Sequence, residues 1–219
     1  LGPDAGLDED SIFSDFFKEG FPAMLANKDI GFVVPQQSLR KTLQKVFKKT
    51  PGLNKDMVLS PFDLGKAGKV YDLLVVDEAH RLRQRSNQEA ASQNKSFHDI
   101  NVKLFGDDDK EITQLDWVRK LSKHQVLLLD IDQTVRPGDL PRELTLRLVQ
   151  EAKAQARFQK LVSQMRIPNG SDYVDYVTQV LSKSGSATSS SFGEYDVKFF
   201  DSFAEMHSAI KNLKQLWKN

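Results

Sequence analysis

Two adjacent carboxylates, Asp77 and Glu78, directly follow an apolar run of four residues, Leu73–Val76. Such a short run predicts a strand buried on both faces, as in parallel sheets covered by helices. Open α/β sheets bind ligands at the carboxyl ends of these strands. Acids placed there could hold a magnesium ion, mostly through water, and accept a proton from an attacking water. The alternative without chemistry is a strand followed by an acidic helix cap.

Two further strands are predicted around this one. Residues 125–131 contain the apolar run Val126–Leu129, which predicts a second buried strand and also ends in acids, Asp130 and Asp132. Residues 29–35 read as a strand that ends at a proline. Because helical patterns alternate with the strands, the sequence predicts an α/β fold with a parallel sheet between helices.

The clearest helix covers Ser38–Lys49, with Leu39, Leu43, Val46 and Phe47 on one side and basic residues on the other. The basic side could contact a nucleic acid, although a solvated helix face is the commoner explanation. Further helices are predicted near residues 115–123, 141–155, 171–181 and 203–217, a short strand at 57–59, a loop at 60–70, and a partly mobile surface insertion at 81–110.

Composition restricts the class of protein. The chain has 219 residues, 39% hydrophobic and 28% charged, with a net charge of +1 and no cysteine. Disulfides and thiolate metal sites are therefore excluded, and a reducing cytoplasm suits the sequence. No apolar run is long enough to span a bilayer, so we expect no membrane association. Because the first residue is Leu1, we expect a fragment of a longer protein.

The chain is expected to fall into four parts. Residues 1–29 would form a helical lead-in, and residues 30–181 a core that carries the insertion at 81–110. Residues 182–194 are serine-rich and predict a linker. Residues 195–219 would supply the strand and helix that open a second domain.

Four segments in this order resemble helicase motifs: 32–40 motif Ia, 72–82 motif II or Walker B, 127–135 motif III, and 161–166 the Leu-x-x-Gln-x-Arg of motif IV. From about Ile30 to Leu181, the chain resembles a superfamily 1 helicase ATPase domain. It is most similar to the Schlafen-group-3-like DNA/RNA helicase domain family. This resemblance implies a P-loop NTPase (RecA-like) fold, with Mg²⁺ and ATP as cofactors.

The resemblance also implies roles for single residues. Asp77 would hold the magnesium ion through water, and Glu78 would polarise the attacking water. Gln133 would sense the terminal phosphate, and Arg166 would reach the γ-phosphate, with a surface ion pair as the alternative for Arg166. His80 could hydrogen-bond toward motif III, or it could be a structural histidine.

The resemblance also implies roles for Gln164 and for the motif Ia segment. Gln164 would orient Arg166, and the motif Ia segment would contact single-stranded DNA or RNA where a strand ends and a helix begins. The residues expected to make this contact are Pro35, Gln36, Gln37, Ser38 and Arg40. Arg136 is a further cation near motif III, which could contact a phosphate or an acid and is assigned no other role.

The chain departs from the family in one respect that matters for activity. It contains no G-x-x-x-x-G-K-[ST] sequence, whose glycine loop and lysine hold the phosphates. Gly65-Lys66-Ala67-Gly68-Lys69 follows motif Ia and lacks the spacing. Motifs V and VI are not recognisable in the sequence either. We therefore expect a fold truncated before the Walker A element, and this polypeptide alone to hydrolyse ATP poorly.

The leading hypothesis is an ATP-dependent DNA/RNA helicase or translocase that couples Mg-ATP hydrolysis to movement on single-stranded nucleic acid, with fused nuclease or other domains compatible with the parent protein. The first alternative is a nucleotide-gated switch or scaffold ATPase without unwinding activity. The second is a degenerate, non-catalytic domain used for protein contacts.

Overall fold

A computed structural model of the chain describes residues 25–86, 90–131, 133, 136–161, 176–180, 198 and 200–216. Contacts along the backbone divide the chain into two compact units, with the boundary between Phe158 and Gln159. Within the described residues, no helix is both long and apolar enough to cross a membrane.

A parallel sheet of four strands organises the described part of the first unit, in the order β2-β1-β3-β4. The strands are β1 Ile30–Val33, β2 Val58–Leu59, β3 Tyr71–Val76 and β4 Ser122–Leu127. The helices of this unit are α1 Gln37–Lys49, α2 Pro61–Ala67, α3 Ala91–Phe105, α4 Gln114–Lys120 and α5 Arg142–Ala154. The predicted α/β fold, a parallel sheet flanked by helices, is confirmed.

Alternating side chains of β1 pack into two different apolar clusters. Val33 belongs to the larger cluster, which includes residues of β3, α2 and α4. Phe32 and Val34 belong to the second cluster, together with Phe47 of α1. Because successive strand residues point to opposite faces of a sheet, helices cover both faces of β1. Its neighbour β3 lies between β1 and β4, so the acids that follow β3 emerge from the interior of the sheet.

Residues 60–70, predicted to be a loop, instead contain α2. The Ser60 hydroxyl accepts a hydrogen bond from the Asp63 N–H at 3.0 Å, and the Asp63 carboxylate accepts one from the Ser60 N–H at 3.2 Å. Pro61 occupies the first turn, where a missing N–H costs nothing, and Gly68 ends the helix with a φ of 65°. This capping pattern was present in the sequence, but the helix is short and its apolar periodicity is weak.

Residues 81–110, predicted to be a partly mobile surface insertion, contain α3. Phe97 and Ile100 of α3 are buried and form a third apolar cluster with Trp117 of α4. The Trp117 indole N–H also donates to the buried Asn101 amide oxygen at 2.7 Å. The polar composition concealed this helix, because a few large apolar side chains on one face are enough to anchor it.

Strand β4 begins and ends earlier than predicted, and it is less buried. It pairs with β3 from Ser122 to Leu127, and among the described strands it lies at an edge. Val126 is 45% exposed, so the expectation of a second buried strand was wrong. A continuous apolar run does not distinguish an edge strand from a central one.

The second unit contributes two described helical segments, residues 176–180 and α6, Phe203–Leu216. The helix predicted over 203–217 is thereby confirmed within one residue. The predicted lead-in helix before residue 25, the serine-rich linker and most of the strand near 195–200 lie outside the described residues.

Candidate active site

The two acids of motif II lie in a turn fixed to both neighbouring strands. The Asp77 N–H donates to the Val33 carbonyl of β1 at 3.0 Å. On the other side, the Ala79 N–H donates to the Leu128 carbonyl, just beyond β4, at 2.7 Å. The backbone between these two bonds carries both Asp77 and Glu78, so main-chain pairing positions the carboxylates.

Glu78 has an unusual backbone for a residue with a side chain. Its φ of 50° and ψ of 47° place it in the left-handed region, which costs most residues about 1–3 kcal/mol. A short 3₁₀ helix, Ala79–Arg81, follows directly. As a result, the side chain of Glu78 faces those of His80 and Arg81, one turn further along.

His80 is buried, with 3% of its surface exposed, and it links motif II to motif III. Its Nδ1 accepts a hydrogen bond from the Asp130 N–H at 3.1 Å, so a neutral ring carries its proton on Nε2. Nε2 lies 3.1 Å from Oε2 of Glu78, yet the two atoms are not aligned for a hydrogen bond. The contact toward motif III is therefore present, while its catalytic role stays a prediction.

Arg81 joins the predicted water-activating acid to the predicted phosphate sensor. Its Nε donates to Oε2 of Glu78 at 3.2 Å, and its Nη2 donates to Oε1 of Gln133 at 3.2 Å. Gln133 in turn donates through Nε2 to a carboxylate oxygen of Asp130 at 3.2 Å. Residues of motifs II and III thus form one connected set of polar side chains, called here the acid network: Glu78, His80, Arg81, Asp130 and Gln133.

The motif Ia segment connects the end of β1 to the start of α1. Arg40 donates through Nη1 to the carbonyls of Val34, at 2.8 Å, and Pro35, at 3.3 Å. Its guanidinium therefore holds the end of β1 against the start of α1. Both partners are neutral, so the positive charge of Arg40 remains uncompensated by them.

A cavity of about 620 Å³ opens between motif Ia and Arg81 and is called here the basic cavity. Among the described residues that line it, four are arginines, namely Arg40, Arg81, Arg83 and Arg136, whereas Asp139 is the acid. The lining also includes all the remaining residues predicted to contact nucleic acid: Pro35, Gln36, Gln37 and Ser38. Four cations against one anion make this cavity suited to an anionic ligand.

Sequence reasoning missed Arg81 and Arg83, and it gave Arg136 no role beyond a contact with a phosphate or an acid. The visible signal was the spacing of Arg81, Arg83 and Arg85 immediately after the two acids. In an irregular segment, this spacing does not show which arginine faces a cavity. The structure separates them, because Arg81 and Arg83 line the basic cavity while Arg85 packs against α3.

Asp108 fastens the segment after motif II to α3. Arg85 donates through Nε and Nη2 to the two oxygens of Asp108, at 2.7 Å each. Asn101 donates to the same carboxylate at 3.0 Å, and His98 Nδ1 lies 2.9 Å from it. Chiefly through the Arg85 bonds, these contacts hold the pKa of Asp108 well below its usual range. The wall of the basic cavity is thus attached to a charged cluster behind it.

The donor chemistry of the acid turn fits a magnesium ion. Mg²⁺ favours one or two carboxylates, completed by water and phosphate oxygens. Asp77 and Glu78 supply two carboxylates at the carboxyl end of β3, and Asp77 Oδ1 also accepts the Glu78 N–H at 3.1 Å. Within the described residues, no cluster of three or more acidic, histidine or cysteine side chains offers a metal site made by the protein alone. Arg166 and Gln164 lie outside the described residues.

Comparison with known proteins agrees with this arrangement of motifs. Neither the curated proteins nor the solved structures include a significant match to the chain. A family model described as "Schlafen group 3, DNA/RNA helicase domain" matches residues 25–217, most of the chain. Motif Ia, the acid network and the basic cavity all lie inside the matched range, and the chain therefore belongs to the Schlafen group 3 DNA/RNA helicase domain family.

Proposed function

We propose that this chain supplies part of the ATP-hydrolysing core of a DNA or RNA helicase or translocase. The observation that carries the proposal is the link from Glu78 through Arg81 to Gln133, with both bonds at 3.2 Å. An acid that activates water and a glutamine that senses a phosphate must act on the same nucleotide. Their connection through one arginine at the end of a parallel sheet supports a shared site.

In this mechanism, Asp77 would hold a magnesium ion through water, and Glu78 would accept the proton of the attacking water. A bound magnesium ion would neutralise charge on the phosphate oxygens. Gln133 contacts the terminal phosphate, and it passes the change that follows hydrolysis to Arg81 and Asp130, its present partners. His80 holds the motif III backbone at a set distance from Glu78 through the Asp130 N–H.

The nucleic-acid contact is proposed for the motif Ia side of the basic cavity. Gln36, Gln37 and Ser38 are exposed and line that cavity at the start of α1. Their polar side chains and the surrounding arginines can bind phosphates without reading base identity. Such sequence-independent contact is what movement along a strand requires.

Replacing Glu78 by glutamine tests the proposal. In the longer protein expected from the sequence, Glu78→Gln should lower ATP turnover by at least about a hundredfold, the usual scale of a lost general base. Nucleotide affinity should stay within about twofold, since the amide keeps the size of the side chain. Glu111→Gln, the same change at an exposed residue in the connection before α4, should leave turnover unaltered.

Three results bear on the proposal. Undiminished turnover in Glu78→Gln would refute the assigned role. Turnover by the wild type without strand displacement would favour the nucleotide-gated switch over a motor. Loss of both turnover and strand displacement in Glu78→Gln would support the helicase or translocase.

A further inference from the structure

The side chain of Arg81 takes part in both the acid network and the wall of the basic cavity. It bonds to Glu78 and Gln133 in the acid network, and it lines the basic cavity beside motif Ia. Neither Glu78 nor Gln133 lines that cavity. Arg81 is therefore the acid-network residue through which a ligand in the cavity could act on the predicted catalytic acid.

We propose that Arg81 is a positioning residue that couples a nucleic-acid phosphate in the basic cavity to the side chains of Glu78 and Gln133. The inference rests on the proposed function and deepens it, because it supplies a route by which strand binding regulates ATP hydrolysis. With the cavity empty of nucleic acid, Arg81 restrains Glu78 Oε2. With a phosphate bound, the guanidinium turns toward it and releases that oxygen.

The chemistry of the guanidinium favours this exchange. A guanidinium is planar and permanently charged, and it binds phosphate with two parallel hydrogen bonds. Its present bonds are longer than the 2.7–2.9 Å usual for charge-assisted pairs, at 3.2 Å to Glu78 and 3.2 Å to the uncharged amide of Gln133. The side chain of Arg81 is also 35% exposed, so an incoming phosphate can reach it.

The rest of the cavity favours an anion over a neutral or cationic ligand. Arg83 and Arg136 add positive charge to the wall. The carboxylate of Asp139, the acid among the lining residues, already accepts a hydrogen bond from the Arg136 backbone N–H at 3.1 Å. Gln114, which is 1% exposed, also lines the cavity, and its Nε2 donor has no hydrogen-bond partner in the described part of the chain. An unsatisfied buried donor lowers stability, so a ligand that brings an acceptor is favoured there.

A direct test follows the Arg81 side chain in the full 219-residue chain. The ¹⁵Nε–Hε signal of Arg81, assigned from its loss in Arg81→Lys, is recorded while an eight-residue oligothymidylate is added. We expect this signal to shift with saturation, whereas the signal of Arg119, exposed on α4, stays in place. A methylphosphonate oligothymidylate, which has the same bases and no backbone charge, should produce no shift.

Two outcomes of the titration would overturn the inference. Equal shifts with the charged and the uncharged oligomer would mean that phosphate is not what Arg81 detects. A shift with inorganic pyrophosphate and none with oligothymidylate would mean that the cavity takes free phosphates and not a strand. Because this titration needs no ATP turnover, it separates failure of the inference from failure of the proposed helicase function.

Turnover in the longer protein supplies the second readout. Arg81→Gln should raise hydrolysis without nucleic acid, since Glu78 is released, and it should lower the stimulation by oligothymidylate about tenfold, the size of one lost charge-assisted hydrogen bond. The salt dependence of oligonucleotide binding should also weaken, by a slope of about 0.7. Arg119→Gln is the matched control. An unchanged stimulation ratio in Arg81→Gln would refute the coupling, because a merely structural role would lower both rates together.

Discussion

The charged cluster around Asp108 should be a major source of stability for the first unit. Replacing Asp108 by asparagine keeps the size of the side chain but removes its charge. Arg85 then loses its two-pronged acceptor, because one of the two oxygens at 2.7 Å becomes an amide that cannot accept. Arg85 and Asn101 would then have fewer acceptors for the hydrogen bonds that they donate to Asp108.

The loss of stability in Asp108→Asn depends on how exposed the Arg85–Asp108 ion pair is to water. Fully exposed ion pairs contribute about 0.2–1 kcal/mol, whereas a hydrogen bond to a charged group contributes about 1.5–3 kcal/mol net. The side chains of Arg85 and Asp108 are both 18% exposed, which places them nearer the second case. We therefore expect Asp108→Asn to lower the free energy of unfolding by about 2–4 kcal/mol at pH 7. Asp99→Asn, on the exposed side of α3, should change it by less than about 0.5 kcal/mol.

Unfolding can be followed by tryptophan fluorescence. The chain has two tryptophans, so a Trp217→Phe background leaves Trp117, which is buried beside Phe97 in the first unit. Urea titrations with linear extrapolation then give the free energy of unfolding of this background with and without Asp108→Asn. A difference below about 0.5 kcal/mol between the two would refute the assignment of stability to this cluster.

The stability lost in Asp108→Asn should decrease as the pH is lowered. The pKa of Asp108 is lower in the folded state than in the unfolded state. The contribution of Asp108 to the free energy of unfolding is therefore complete above the unfolded pKa, and it is lost as the pH falls through the folded pKa. The difference between the wild type and Asp108→Asn should be constant from about pH 5 to about pH 8. Between about pH 5 and about pH 3, it should narrow by about 1 kcal/mol, given an unfolded pKa of about 3.9. A difference that widens on acidification would contradict this reasoning.

Two further substitutions test the packing and capping of α2. A Cβ at Gly65 would lie 2.7 Å from Ile100 Cγ2. Gly65→Val should therefore lower the free energy of unfolding by about 1–3 kcal/mol in the same urea assay. The control Ala67→Val, at the exposed end of the helix, should have little effect. Ser60→Ala removes the acceptor of the Asp63 N–H and should cost about 1 kcal/mol; a loss no larger than that of Thr42→Ala, an exposed hydroxyl on α1, would argue against the cap.

Some elements could be predicted because their signals are local. The run Leu73–Val76 and the proline after Val34 predicted β3 and the end of β1, since a strand buried on both faces needs continuous apolar residues. Helix α1 followed from four apolar positions at helical spacing. Helix α3 and the exposure of β4 could not be predicted in this way, because both depend on which distant surfaces they meet.

For the candidate site, the sequence by itself determined the chemical groups and their place. Asp77 and Glu78 had to lie at the carboxyl end of a parallel strand, because their positions relative to the apolar run follow from chain order alone. Only the tertiary structure decided that Arg81 lies between Glu78 and Gln133, a partner 52 residues away, and that its other side faces the basic cavity. A side chain's long-range partners are set by the packing of the elements that carry it, and periodicity along the chain does not record that packing.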